Sequence, residues 1–353
     1  MKRKNYVDNL RWFCVCLLIP YHTAMAWNCW GEGNYIILGS DKVLSSFVVA
    51  ISPWYMTLLF VLAGISAKCS LLRRSNKQFV IERVQKLLLP LLTGTLTIVP
   101  VLAFYADKVN CGYRGGFVAH YLVFFTKWTD ITGYDGGFSI GHFWFLLYLF
   151  VISTVALIID LFLRRYISKF NLQNVNVAVV VLFVLLSIFA MPVKLGGKSI
   201  LTYLLLYMIG YYFLSEERII DTLWKFRYIF LLSWLVFTAF NVYLFLWSAV
   251  QHEIENTIIM YFSGGFGILT FLSFGKGVLN KVNKLTKWLS VESFLIYIFH
   301  FLWVVVFEYY LSIIVDNTKT IFVFSVFGAF VITFLSCRII KNWKFIYGVF
   351  GGK

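Results

Sequence analysis

The chain has 353 residues, of which 60% are hydrophobic, 20% aromatic and only 13% charged, with a mean hydropathy of +0.81. Soluble globular domains carry about a quarter charged residues, so that class is excluded and the sequence belongs in a bilayer. The net charge of +15 raises nucleic acid as a partner, but no basic stripe interleaved with exposed aromatics sits on a soluble module, and none is expected.

Apolar runs near the roughly 20 residues that cross a bilayer occupy positions 10–28, 43–67, 87–106, 141–163, 175–193, 199–215, 228–250, 257–275, 288–311 and 320–338. The expected fold is therefore an all-α integral membrane protein, with about ten transmembrane helices in one bundle. No repeat, linker or soluble segment divides it, so residues 1–353 read as a single domain. With both termini in the cytosol, 24 of the 31 Lys and Arg fall on cytosolic segments and seven outside. That is the bias that orients short membrane loops, and it fits a multi-pass protein of the plasma (inner) membrane.

The N-terminal "MKRK", the apolar stretch after it and "AMA" at 24–26 mimic a cleavable signal peptide. A retained first helix is expected instead. Arg11 and His22 interrupt the apolar run, and removing it would leave an odd number of helices and spoil the charge asymmetry. On an ideal helix, eleven residues advance about 16.5 Å and turn about 1100°, three turns plus some 20°, so Arg11 and His22 share a face. Arg11 reads either as a boundary anchor snorkelling to the interface or as an anion ligand, with Asp8 three residues earlier to orient it. His22 lies at depth, where an ionisable residue is costly unless it meets a partner or a wet cavity; a core histidine is the plainer alternative.

The longest cytosolic loop, 68–86, reads "KCSLLRRSNKQFVIERVQK". It either faces anionic lipid or grips a phosphate-rich ligand, for which arginine's planar fork is suited; Arg73, Arg74, Arg83 and Lys86 are its candidates, beside Arg11. The longest outer loop, about 107–140, contains "NCGYRGGF" and "TGYDGGFSIGH", a composition suited to a re-entrant or lid-like cover. His22, His142 and His300 all fall in the outer half of helices or at its edge, whereas His120 and His252 read as interfacial. Three imidazoles from separate helices, without a paired local Glu or Cys, do not make a zinc signature, and no metal is expected. Trp144 reads as a belt anchor or as a stacking surface. The six cysteines lack metal-ligand spacing. A Cys29–Cys111 disulfide stays open beside the reading preferred for all six, packed or free thiols.

Several of these stretches resemble acyltransferase family 3, multi-pass membrane enzymes that O-acylate surface and secreted glycans, with a glucan succinyltransferase branch. "VDNLRWFCVCLLIPYH" is similar to the family's first-helix Arg, ten residues, then His, here Arg11 and His22. "WYMTLLFVLAGISAK" resembles its Phe-x-x-(Ser/Ala)-Gly segment at Phe60, Ala63 and Gly64. "FVIERVQKLLLPLL", with Arg83, Lys86 and Pro90, resembles the basic start of the third helix, although many members carry Arg where this chain has Lys86. "GHFWFLLYLF" and "FLIYIFHF", the latter with Tyr297 and His300, match its later signatures in order.

The resemblance implies transfer of an acyl group, acetyl or succinyl, from cytosolic acyl-CoA to a carbohydrate hydroxyl on the outer side. His22 would then be the general base. Arg11, Arg73, Arg74, Arg83 and Lys86 would hold the CoA phosphates, and His142, Trp144 and His300 would line the acceptor side. Acyl-CoA is a co-substrate in this reading, with no permanently bound cofactor. The alternative class is a glycan or lipid-linked sugar carrier, although the Gly264–Gly265 pair has no counterpart in the first half of the chain, as paired broken helices of transporters would require. The acyl group, the glycan and a homo-oligomeric state stay open.

Overall fold

The computed structural model describes residues 4–128, 130–134, 136–167, 175–250 and 252–352. Met1 to Arg3 of the basic N-terminal run and Asp135 of the glycine-rich loop lie outside them. Among the described residues the fold is all-helical, in the chain order α1 (Asn5–Met25), α2 (Lys42–Ile51), α3 (Tyr55–Leu71), α4 (Asn76–Arg83), α5 (Leu89–Thr97), α6 (Val99–Asn110), α7 (Phe117–Thr126), α8 (Trp144–Ile167), α9 (Val177–Ile188), α10 (Ile200–Tyr212), α11 (Glu217–Lys225), α12 (Arg227–Val242), α13 (Glu253–Val278), α14 (Lys284–Ile314), α15 (Thr318–Asn342) and α16 (Lys344–Val349).

All ten apolar runs are largely helical, and seven helical stretches among the described residues are long and apolar enough to cross a membrane. The other three differ for identifiable reasons. α1 is long enough but carries Asp8, Arg11 and His22. The runs at 175–193 and 199–215 condense into α9 and α10, of 12 and 13 residues, each shorter than a hydrocarbon core of about 30 Å requires. The basic segment 68–86 is helical over its second half. α4 continues through a wider π turn at Val84–Leu88 into α5 and α6, one apolar stretch from Asn76 to Asn110.

The chain clusters into two compact units. The first comprises Met1–Cys14, Val49–Glu82 and Tyr148–Ser290. Its tightest seam joins α3 to α10. A Cβ on Gly64 would sit 2.0 Å from the Tyr207 carbonyl oxygen, and one on Gly210 would sit 2.4 Å from that of Val61. Two glycines on facing helices thus let the backbones touch, the usual device where lipid supplies no hydrophobic drive for association. One turn before Gly64, Phe60 stacks on Tyr203 with ring centroids 4.4 Å apart. The Phe60–Gly64 motif therefore acts in packing. Gly64→Ala is expected to lower stability by about 1–3 kcal/mol or more, the range for overpacking a filled site. Thermal unfolding in detergent checks this, with Gly348→Ala, whose Cβ meets nothing within 4 Å, as the neutral control.

Elsewhere in this unit Trp54 stacks on Phe271 at 3.9 Å. Asn9 donates its amide to the Leu279 and Lys281 carbonyls beyond the end of α13, and Asp160 accepts from Tyr212 and Arg164 at 2.8 and 2.7 Å.

The second unit comprises Val15–Val48, Arg83–Leu147 and Val291–Lys353. It is built on α14, whose Ile298, Phe301, Val304 and Val305 are fully buried. The last residues fold back onto α5: Thr93 bonds the Val349 carbonyl at 3.3 Å, and Phe350 packs edge-on against Phe299 at 5.1 Å. The segment between α6 and α8 holds the short helix α7, fixed where His120 and Lys127 both reach Asp107 at the end of α6, at 2.9 and 3.0 Å. His120 is fully buried there, a correction to its reading as an interfacial residue.

Candidate active site

The second unit gathers His22, His142 and His300, from the last turn of α1, the turn before α8 and the middle of α14. They are 7, 3 and 0% exposed. His22 stacks on Phe301 with centroids 3.9 Å apart and planes at 24°. His300 lies 5.5 Å from His22 and 5.3 Å from His142, ring to ring. The first two of these meet because Phe301 follows His300 directly on α14, so one turn of that helix presents both an apolar platform and an imidazole.

Hydrogen bonds to groups that can only accept fix the tautomers. His142 Nε2 donates to the Ile298 carbonyl at 3.1 Å, and His300 Nδ1 to that of Tyr297 at 2.6 Å. Each ring keeps a lone pair on its second nitrogen. Those atoms, His142 Nδ1 and His300 Nε2, are buried and meet no hydrogen-bond partner among the described residues. The Tyr297 hydroxyl donates back to the carbonyl of His142, locking α14 to the start of α8.

His22 is set by Asn34, from the loop after α1. The Asn34 amide nitrogen donates to the His22 carbonyl at 2.9 Å, which turns its Oδ1 toward His22 Nδ1 at 3.3 Å. An amide oxygen only accepts, so Nδ1 carries the proton and Nε2 is the basic nitrogen. Tyr35 follows, fully buried, with φ 62°. It is the one non-glycine residue at positive φ among those described, a strained conformation that such residues rarely adopt. Its N–H donates to the Tyr134 carbonyl at 3.0 Å, its own carbonyl accepts from Asn110 at 2.7 Å, and a Cβ on Gly141 would lie 2.2 Å from its hydroxyl. The strain thus brings the loop after α1 and the segment before α8 over the histidines. Tyr134 is half-buried there and hydrogen-bonded to Trp144. Burial first, and the neighbouring Tyr35 next, push its hydroxyl well above the usual tyrosine range, so it stays a neutral phenol. Trp144, 7% exposed, is an internal residue of this cluster and no belt anchor.

The basic candidates distribute over both units. In the first, Arg11 bonds Asp8 at 3.0 Å and Ser66 at 2.7 Å, which bears out the Asp8 pairing. Arg73 is exposed, and Arg74, also exposed, pairs with Glu82 at 2.6 Å. In the second, Arg83 ends α4 and Lys86 lies within the π turn, three residues on; a Cβ on Gly351 of the C-terminal segment would sit 3.6 Å from the Lys86 Cα. None of the six cysteines forms a disulfide, and the Cys29 sulfur accepts from Ser40 and Ser45. Among the described residues, no three His, Cys, Asp or Glu side chains are grouped to hold a metal ion.

Asn34, Tyr35 and Tyr134 escape sequence reading because a turn of unknown path separates each from the histidines. Glu308, in the apolar run of α14, carried the same signal as His22, an ionisable group at depth, and was legible by that criterion. The family model described as an acyltransferase domain matches residues 4–340. Comparison with curated proteins and with solved structures gave no match.

Proposed function

We propose, from the premise that the chain belongs to acyltransferase family 3, that it transfers an acetyl or succinyl group from acyl-CoA to a hydroxyl of a surface or exported carbohydrate. The observation that carries this reading is the buried imidazole group. His22 has its tautomer set by Asn34, beside two further rings that offer only acceptor lone pairs. A base needs one nitrogen protonated and held, and the other aimed at the proton it takes. Lone pairs on His142 and His300 suit a ligand rich in O–H donors, as a sugar is. His22 Nε2 takes the proton of the acceptor hydroxyl as its oxygen bonds the thioester carbonyl carbon. The carbon–sulfur bond then breaks, the acyl ester forms, and the proton held on His22 passes to the leaving sulfur so that CoA departs as its thiol. The neutral hydroxyl of Tyr134 is the donor for charge developing on the carbonyl oxygen.

In this reading the protein lies in the plasma membrane with about ten crossings and both termini cytosolic, so that positive charge collects inside. Arg83 and Lys86 take the phosphates of CoA, with Arg11, Arg73 and Arg74 as further cytosolic cations. Arg11 and Arg74 each already pair with an acid, Asp8 and Glu82. His142, Trp144 and His300 form the acceptor side.

CoA-thiol release from acetyl-CoA and succinyl-CoA by detergent-purified protein, with and without glycans, tests the reaction. Release is expected to rise with acceptor. Arg83→Ala with Lys86→Ala is expected to raise the KM for acyl-CoA about a hundredfold, the loss of two charge-assisted contacts, with kcat within about threefold. A fall confined to kcat at unchanged KM contradicts the phosphate assignment.

A further inference from the structure

Glu308 is fully buried, and neither carboxyl oxygen has a hydrogen-bond partner among the described residues. An ionisable side chain in an apolar helix is expensive unless something meets it, and here nothing among the described residues does. Its place on α14 says what could. Seven residues separate it from Phe301 and eleven from Tyr297, turns of about 700° and 1100°, so all three lie within some 20° of one line along the helix. Phe301 stacks on His22, and Tyr297 holds His142 through its carbonyl. Glu308 therefore continues the stripe that carries the histidine group, about 10.5 Å farther along the axis.

The stripe carries polar atoms that nothing meets. Among the described residues His142 Nδ1, His300 Nε2 and both oxygens of Glu308 are buried without a hydrogen-bond partner. A fully buried carboxyl with no cation beside it is held as the neutral acid and supplies no positive group for phosphate or carboxylate, so it does not suit the CoA end of the donor. A neutral carboxyl both donates to and accepts from paired hydroxyls. The spacing exceeds the reach of a single sugar ring, so a hydroxyl acylated beside His22 and a hydroxyl pair on Glu308 belong to different units of one glycan. The next residue, Tyr309, is covered by Tyr105 and by the Lys108 ammonium from the end of α6, at 4.9 and 5.9 Å. Entry of a longer glycan displaces these side chains.

Resting on the carbohydrate-acceptor reading above, we infer that Glu308 is an acceptor subsite. It binds vicinal hydroxyls of the neutral sugar next to the one acylated, and so makes the enzyme prefer oligosaccharides to monosaccharides.

The test uses the full chain in detergent, with acetyl-CoA and succinyl-CoA as donors and a panel of mono- to tetrasaccharides of glucose, galactose and mannose as acceptors. The wild type is expected to show a lower KM for the longer members. Glu308→Leu, of similar size and without a polar atom, is expected to raise that KM about tenfold or more, to leave the monosaccharide KM unchanged and to keep kcat within about threefold. If the leucine variant is not recovered folded, Glu308→Asp, which withdraws the carboxyl by one methylene, is expected to shift KM in the same direction. Unchanged KM at every chain length, or an equal fall in kcat at every length, overturns the subsite while leaving the acceptor reading intact. A folded wild type that releases CoA but acylates no sugar of the panel overturns both.

Discussion

Replacing His22 by alanine is expected to lower kcat for acyl transfer by about 10²–10⁴, the usual worth of a positioned general base. The KM for acyl-CoA should stay within about threefold, because the proton is taken at the acceptor hydroxyl, away from the phosphates. The ring's neighbours remain in place: Phe301, on which it stacks at 3.9 Å, and the rings of Tyr21, Tyr134 and His300. His22→Gln separates chemistry from packing. It restores much of the volume and a hydrogen bond to Asn34 without a basic nitrogen, so it should be as inactive as alanine and as stable as wild type. Recovery of activity with glutamine would assign His22 to packing.

Asn34→Ala is expected to cost about 10-fold to 10²-fold in kcat, less than loss of the base itself. The substitution removes the acceptor at 3.3 Å that keeps the proton on His22 Nδ1, and the donor that ties the loop to the His22 carbonyl. A base in the wrong tautomer presents an N–H where a lone pair is required. Asn34→Asp keeps the acceptor and loses the amide donor, so it should recover part of the rate. Asn34 acts through His22 and is a positioning residue. A nitrogen-15 spectrum of the imidazole, in protein labelled at histidine, should report a larger Nε2–H population in the alanine variant. Equal tautomer populations in the two proteins would contradict the assignment.

What sequence reading captured follows from which forces act along the chain and which act across it. Hydropathy and charge are summed over contiguous residues, so the helical membrane class and the apolar runs were legible. Arg11 with Asp8 was legible too, since a spacing of three on a helix brings the groups together. Crossing number was less accessible: α9 and α10 stop at 12 and 13 residues, where turns take over residues that are apolar enough to extend a helix. His142 and His300 were singled out as isolated polar residues in apolar helices, and the structure brings both to His22. Their tautomers and empty nitrogens depend on carbonyls of Ile298 and Tyr297, which no residue pattern records. Asn34 and Tyr35 are placed by a loop whose path turns on one strained φ, and Trp144 is buried because Tyr134 comes down on it. His120 looked interfacial because its partner, Asp107, lies thirteen positions away across a turn. The Phe60 and Gly64 positions read as a family motif in sequence and as a helix seam in space.

The most direct measurement is transfer of a radiolabelled acyl group from acetyl-CoA and succinyl-CoA to a glycan by the purified protein, scored as hydroxylamine-labile ester on the sugar. The wild type should form the ester and release an equal amount of CoA, while His22→Ala should form a hundredth or less. Equal labelling by the two proteins, or a folded wild type that forms no ester from either donor, would contradict acyl transfer through His22.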